Sequence, residues 1–280
     1  MVNNYTLADF SVMSVQYCQY SYKYFLESMN QCGFSSIDLW GGAPHYSSLD
    51  YPNDASGVIR IKDLTHEHGC SIRVYTPETL SYPFSYSSPN PLTRQRTIEY
   101  MKRAIDDAKE LGAEYVFLNS GCGLRDLPKE ESWIYLISSL KEICLYAEEK
   151  NVPLLIEQLQ PYESNLITSF ADMKQIIHDV KSKILYICVD VVAMEVAKES
   201  LETWFDEFNN LIKLIHLSDS HHFILGDGHY NINSYLSVLK KNNYAGYITL
   251  EINDSIYWEN PHDSMMKTSL YLVEKLGVKQ

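Results

Sequence analysis

LIKLIHLSD, the stretch from Leu211 to Asp219, is an apolar run that ends abruptly in His216 and continues into polar residues. A short continuous apolar run of this kind is typical of a buried strand in a parallel sheet. In parallel α/β folds, ligands bind beyond the carboxyl ends of the strands. His216 is therefore expected at the edge of a polar site, and the remaining strands should show which side chains join it.

Apolar runs alternate with amphipathic stretches along the whole chain, which is the pattern of repeated βα units. Strands are predicted at Asp9–Met13, Ser36–Trp40, Ser71–Tyr75, Tyr115–Leu118, Val152–Glu157, Ile184–Val189, Ile212–His216 and Tyr247–Leu250. Helices are predicted near Ser21–Gln31, Val58–His68, Thr93–Leu111, Glu130–Lys150, Phe170–Val180, Leu201–Phe208, Ile232–Lys241 and Ser264–Leu276. This count predicts an α/β fold, a (β/α)₈ TIM barrel formed by residues 1–280 as a single domain. An open doubly wound sheet is the alternative.

Composition narrows the class of partner. The formal net charge of -13 argues against non-specific nucleic-acid binding, which needs a surplus of lysine and arginine. The chain lacks an apolar run of about 18 residues, and MVNNYTLADF does not resemble a signal peptide, so we expect a soluble cytoplasmic protein without membrane contact. The six cysteines form no CxxC pair and are expected to be reduced and mostly buried.

The last four predicted strands each end in a side chain that can bind a metal ion, namely Glu157, Asp190, His216 and Glu251. In a closed barrel these strand ends surround one opening. Three carboxylates at close range would repel one another unless a cation were bound. Carboxylates with one imidazole favour Mn²⁺, with Mg²⁺, Co²⁺ or Zn²⁺ as alternatives. Taken singly, each acid is more often a helix cap or a loop residue, and His216 a core histidine.

Several motifs around these residues carry a resemblance to a known family. IEQLQPYE, CVD, HLSDS, GDGHYN and TLEIN, taken in this order, resemble the xylose isomerase-like TIM barrel superfamily in its sugar phosphate isomerase/epimerase branch, which includes ketose 3-epimerases. The resemblance implies a small sugar or polyol substrate. It also implies that Glu157 and Glu251 bind the metal and act as an acid/base pair, moving a proton next to a carbonyl. Glu163 and His229 match positions that face the substrate, with a solvent-facing loop acid and a surface histidine as the respective alternatives.

Two positions depart from the ketose 3-epimerase pattern. Ala193 stands where those enzymes carry a histidine, and His222 stands where they carry an arginine that contacts substrate. We therefore take His222 as a substrate-binding residue of altered type. An inosose dehydratase-like enzyme or related metal-dependent lyase is an alternative, and a non-catalytic sugar-binding barrel is an alternative of another class. An endonuclease IV type of repair enzyme is disfavoured because several histidine ligands are missing.

Aromatic residues are concentrated in the predicted loops after the first three strands, and Trp40 is the candidate for a substrate contact. Loops at this end of a barrel carry substrate specificity. The same aromatic residues would also suit a homodimer or homotetramer interface, and the sequence leaves both uses open.

Overall fold

Eight parallel strands close into a barrel in this computed structural model, which describes residues 5–51 and 54–279. The strands are β1 Phe10–Met13, β2 Ser36–Gly41, β3 Ser71–Pro77, β4 Tyr115–Leu118, β5 Leu154–Glu157, β6 Leu185–Asp190, β7 Ile212–Leu217 and β8 Tyr247–Leu250. Each strand pairs with the next in sequence, and β8 pairs with β1. The predicted (β/α)₈ barrel is confirmed and the open sheet is excluded.

Helices surround the barrel on the outside. They are α1 Tyr22–Cys32, α2 Ser56–Glu67, α3 Pro91–Leu111, α4 Lys129–Lys150, α5 Phe170–Val180, α6 Val191–Val196, α7 Leu201–Phe208, α8 Ile232–Lys241 and α9 Pro261–Glu274. The structure shifts some predicted ends: α9 begins three residues earlier than Ser264 because Asn260 caps it, accepting a hydrogen bond from the Asp263 backbone, and Pro261 opens its first turn.

Helix α6 was not predicted from the sequence. It follows β6 with no intervening loop, and its first four residues, VVAM, continue the apolar run of the strand, so nothing in the hydrophobic pattern marks its start. Asp190 marks the boundary instead: its carboxylate accepts hydrogen bonds from the backbone N–H groups of Val192 and Ala193, both at 2.9 Å. These bonds satisfy two donors at the start of the helix.

The apolar core has two parts. The larger part lies between the barrel and the surrounding helices, where apolar faces such as that of α3 are buried against the strands. A smaller cluster fills the barrel interior: Val74, Phe117, Leu155, Cys188 and Leu214, with the rings of Tyr115, Tyr186 and Tyr247 packed against it. The interior is therefore closed by side chains, as in other TIM barrels, and the polar site lies above this layer at the carboxyl end.

Strand register fixes the height of the site residues. Asp190 pairs with His216, so these two residues lie near the same level of the barrel, while Glu157 pairs with Cys188, two residues before Asp190 on β6. Strand β7 continues one residue beyond the predicted end, to Leu217, whose carbonyl accepts a hydrogen bond from the Glu251 backbone at 3.2 Å. Among the described residues, none of the helices is long and apolar enough to cross a membrane.

Candidate active site

His216 lies at the centre of the carboxyl end of the barrel and is fully buried. Its Nδ1 atom lies 2.6 Å from Glu157 Oε1 and 2.9 Å from Glu251 Oε2. The Phe117 ring stacks on the imidazole, with centroids 5.4 Å apart. Side chains from β5, β7 and the residue after β8 thus meet at one ring nitrogen.

The other ring nitrogen of His216 faces Asp38, a residue that the sequence analysis did not select. His216 Nε2 lies 3.5 Å from Asp38 Oδ2, while Asp38 Oδ1 accepts a hydrogen bond from the Thr76 hydroxyl at 2.6 Å. Asp38 is fully buried on β2. Burial would lower the pKa of His216, but the surrounding Cys188, Glu251, Glu157 and Asp38 raise it well above the ordinary value. With a metal ion on Nδ1, the Asp38 carboxylate would favour the proton on Nε2. The available signal was a charged residue inside the apolar run SIDLW.

Asp190 and His222 extend the site towards β6. His222 Nε2 lies 3.4 Å from Asp190 Oδ2 and 3.8 Å from Glu251 Oε2. One ligand-type atom from each of Asp190, His222 and Glu251 lies within 4.8 Å of the others, and the same holds for Glu157, Cys188 and His216. Cys188 is the second residue that sequence reasoning missed, because a cysteine inside a strand is most often apolar filling. Its Sγ lies 3.5 Å from Glu157 Oε1.

Burial and mutual charge set the protonation of this cluster. Burial raises the pKa of Glu157 to about 8, and the neighbouring Glu251 and Asp190 act in the same direction, against the opposing effect of His216. Burial would lower the pKa of His222, but the charge of Asp190 and its hydrogen bond raise it to about 10. Burial alone would raise the pKa of Asp190, yet His222 brings it below the ordinary value.

An inner cavity of about 100 Å³ opens onto this cluster. Glu157 and Glu251 line it together with the predicted substrate-binding residues Trp40 and Glu163. Burial raises the pKa of Glu163, whose carboxylate accepts a hydrogen bond from the Gln160 backbone at 3.0 Å. A hollow of about 550 Å³ lies elsewhere, at the start of α9, but none of the proposed site residues lines it.

His229 is the predicted substrate-binding residue that the structure does not bring to the cavity. Its side chain is exposed and is absent from the lining of the inner cavity. Its backbone N–H donates to the Ser220 hydroxyl at 3.3 Å, and its ring contacts Tyr230. The GDGH motif therefore shapes the loop after β7. Asp219 accepts hydrogen bonds from the Gly226 and Tyr230 backbones across the same loop.

Comparison with known proteins agrees with this geometry. The family described as "Xylose isomerase-like TIM barrel" matches residues 26–274. The chain belongs to this family. Fructoselysine 3-epimerase of Shigella flexneri is 31% identical to the chain over 228 residues, covering 80% of the chain and 82% of the relative. The predicted resemblance is confirmed.

Solved structures support the family fold. D-allulose 3-epimerase from Methylomonas sp. superimposes with a TM-score of 0.81 at 17% identity, covering 98% of this chain and 99% of the other. A structure described as IOLI protein with a binding zinc atom superimposes with a TM-score of 0.77 at 16% identity, covering 95% of this chain and 98% of the other. At these identities the structural likeness shows a common barrel.

Proposed function

We propose that this protein is a divalent-metal-dependent ketose 3-epimerase. The single observation that carries the proposal is the convergence of Glu157 and Glu251 on His216 Nδ1, at 2.6 and 2.9 Å, beside a cavity that both glutamates line. Two carboxylates at one reaction cavity supply the acid and the base that proton transfer requires. The named relatives are epimerases of ketose sugars, which favours this chemistry over others available to the barrel.

The donor set fits a metal ion. Glu157, Asp190, His216 and Glu251 would hold it, through three carboxylates and His216 Nδ1, with Asp38 keeping the proton on Nε2. Glu157 and His216 belong to one of the two groups of possible ligand atoms, and Asp190 and Glu251 belong to the other. An excess of oxygen donors favours Mn²⁺, while Mg²⁺, Co²⁺ and Zn²⁺ suit the same residues. When bound, the ion supplies Lewis-acid polarisation of a carbonyl and lowers the cost of removing the neighbouring proton.

The two glutamates would then divide the proton transfer between them. One carboxylate removes the proton from the carbon next to the carbonyl, and the other carboxyl returns a proton to the opposite face, which inverts that carbon. Burial raises the pKa of Glu157 to about 8, and a cation bound by this carboxylate would act in the opposite direction. Trp40 and Glu163 line the cavity where the sugar would bind.

The carbon atom of the sugar that reacts distinguishes the proposed epimerase from the isomerase and dehydratase alternatives. Inversion at carbon 3 is the reaction named for the relatives, whereas proton transfer between carbons 1 and 2 would interconvert a ketose and an aldose. Loss of water would identify a dehydratase. The product formed in deuterium oxide distinguishes these three outcomes, since each places deuterium or removes a hydroxyl at a different carbon.

The test is incubation of the metal-analysed protein with fructose, allulose, tagatose and fructoselysine in deuterium oxide, with and without added Mn²⁺. We expect deuterium at carbon 3 together with the carbon-3 epimer, in proportion to bound metal. A Glu251→Gln variant serves as the inactive control. Absence of exchange from every ketose at full metal occupancy would overturn the proposal and favour a sugar-binding barrel.

A further inference from the structure

A second cavity adjoins the inner cavity at the mouth of the barrel. This outer groove has a volume of about 260 Å³ and shares Trp40 and Glu78 with the lining of the inner cavity. Residues that follow β2 and β3 form its other walls, among them Leu49, Tyr82 and Tyr100. The outer groove is the larger of the two cavities and lies beyond Glu157 and Glu251, which line the inner cavity. The two cavities together therefore offer room for more than an unsubstituted ketose.

The charged side chains in the walls of the two cavities are all acidic, and two of them, Glu157 and Glu251, are the proposed metal ligands. Four glutamates line the inner cavity, Glu78, Glu157, Glu163 and Glu251, and no lysine, arginine or histidine lines either cavity among the described residues. Arg96 stands beside the outer groove: its guanidinium is 5.8 Å from the Tyr82 ring centroid, and its Nε donates to the Pro83 carbonyl. A phosphate ester in these cavities would lie against carboxylates with no cationic side chain in the wall.

Glu78 is held in place at the junction of the two cavities. Its Oε2 atom accepts a hydrogen bond from the Trp40 indole at 3.0 Å, and its Oε1 atom accepts one from the Leu80 backbone at 2.9 Å. Each carboxylate oxygen has a further lone pair, so the group can also accept hydrogen bonds from an ammonium. The Tyr82 ring is 89% exposed and leaves an apolar surface at the outer end.

We propose that the substrate is a non-phosphorylated ketose conjugated to an amine, with the substituent in the outer groove and its ammonium facing Glu78. This assignment rests on the proposed epimerase function and adds the substrate class and the residue that selects it. The carbon chain of the substituent packs against the groove walls near Trp40 and Tyr82, while the sugar, in its open-chain carbonyl form, occupies the inner cavity between the glutamates. Charge complementarity and the continuity of the two cavities carry the assignment.

The experiment compares fructose, fructoselysine and fructose 6-phosphate as substrates of the Mn²⁺-loaded enzyme. We expect kcat/KM to be highest for fructoselysine and lowest for the phosphate. Glu78→Gln should reduce the ratio of fructoselysine to fructose kcat/KM roughly tenfold or more, because one charge-assisted hydrogen bond is lost. Glu259→Gln, which makes the same charge change in the separate hollow at α9, should leave this ratio unaltered.

Two outcomes would overturn the inference while leaving the epimerase proposal standing. In the first, kcat/KM for fructose or fructose 6-phosphate equals that for fructoselysine. In the second, the ratio of fructoselysine to fructose kcat/KM is the same in Glu78→Gln as in the parent protein. If no ketose is turned over, the epimerase proposal fails by itself, and calorimetric binding decides the inference. Fructoselysine binding that weakens in Glu78→Gln supports it, and binding that is equal in both proteins, or undetectable, refutes it.

Discussion

The two halves of the barrel mouth are built by different means. In the half formed by β5 to β8, side chains at or just after strand ends meet directly, as the 2.6 Å and 2.9 Å contacts of His216 with Glu157 and Glu251 show. In the half formed by β1 to β4, Trp40 near the end of β2 and Glu78 directly after β3 line the junction of the two cavities, and the irregular loops that follow these strands supply most of the other walls of the outer groove. The first half holds the proposed chemistry, and the second half holds the proposed selectivity.

This difference follows from how each half is held. Strand ends are fixed by the parallel hydrogen-bond ladder, so a residue such as Asp190 lies level with His216 through backbone pairing alone. The loop from Glu78 to Asn90 contains no helix or strand, and side-chain hydrogen bonds determine its position, including that of Tyr86 with Thr79 at 2.9 Å. Function placed on such loops can vary while the barrel stays constant.

The largest expected effect lies in the chemical half. Glu157→Gln and Glu251→Gln should each lower kcat for epimerisation about a thousandfold, because an amide can neither take up nor return the proton. Deuterium exchange at saturating Mn²⁺ measures this loss separately from weakened metal binding. Glu149→Gln, on the exposed side of α4, is the matched control. Full turnover by either site variant would remove the acid/base assignment.

Much of the chemical half was predictable from the sequence. An apolar run that ends in a single polar residue marks both a strand and its carboxyl edge, and the motif order from Glu157 to Glu251 identified the family. His229 shows the limit of this approach: its spacing after β7 matched the family, yet its side chain is exposed because the loop is folded around Asp219. The assignment of residues 1–280 to a single domain stays a prediction.

Asp38 and Cys188 were not selected because each lies within a strand. The sequence does not show whether the side chain of such a residue points into the barrel or towards the helices. Whether such a side chain faces the interior or the helices depends on strand tilt and register, and the β2–β3 pairing shifts register between Ile37 and Asp38. Helix α6 was missed for a related reason, since β-branched residues continue from β6 into it. Glu78 was missed because β3 extends to Pro77, two residues beyond its predicted end, so that this acid directly follows the strand.

His45, which lies in the selectivity half, should make the free energy of unfolding of the protein fall in acid. This ring is buried against Phe25, Tyr22 and Trp40, and its Nε2 pairs with the Tyr20 carbonyl at 3.1 Å. Burial lowers the pKa of His45 to about 4. Because the unfolded chain binds this proton near pH 6.5, the folded state binds fewer protons between these values, and stability falls as pH falls from about 6.5 to about 4.

The free energy of unfolding in urea, measured near pH 7 and near pH 4.5, tests this effect, which should be about 2 kcal/mol. His45→Gln retains an amide donor for Tyr20 and carries no titrating group, so its loss of stability over the same interval should be smaller by about that amount. His66→Gln, at an exposed position of α2, should behave like the parent protein. An identical acid loss in His45→Gln would show that other groups cause it.

Asp38 joins the two halves, because it lies on β2 yet acts on His216 of β7. In Asp38→Asn the amide oxygen would keep the hydrogen bond from Thr76, so the NH₂ group would face His216 Nε2 and drive the proton to Nδ1. That proton would occupy the nitrogen assigned to the metal, and Mn²⁺ affinity should fall about 10- to 100-fold, as for other partners of a metal-binding histidine.

Competition with a chelator measures this affinity directly, without relying on turnover. Thr76→Val removes the hydrogen bond to Asp38 Oδ1 but preserves the carboxylate, so its effect on Mn²⁺ binding should be the smaller of the two. If Thr76→Val weakened binding as much as Asp38→Asn, packing around β2 and β3 would be the cause rather than the position of the imidazole proton. A larger loss of Mn²⁺ affinity in Asp38→Asn than in Thr76→Val would instead mean that Asp38, in the selectivity half, determines which nitrogen of His216 carries the proton. The metal site of the chemical half depends on that nitrogen.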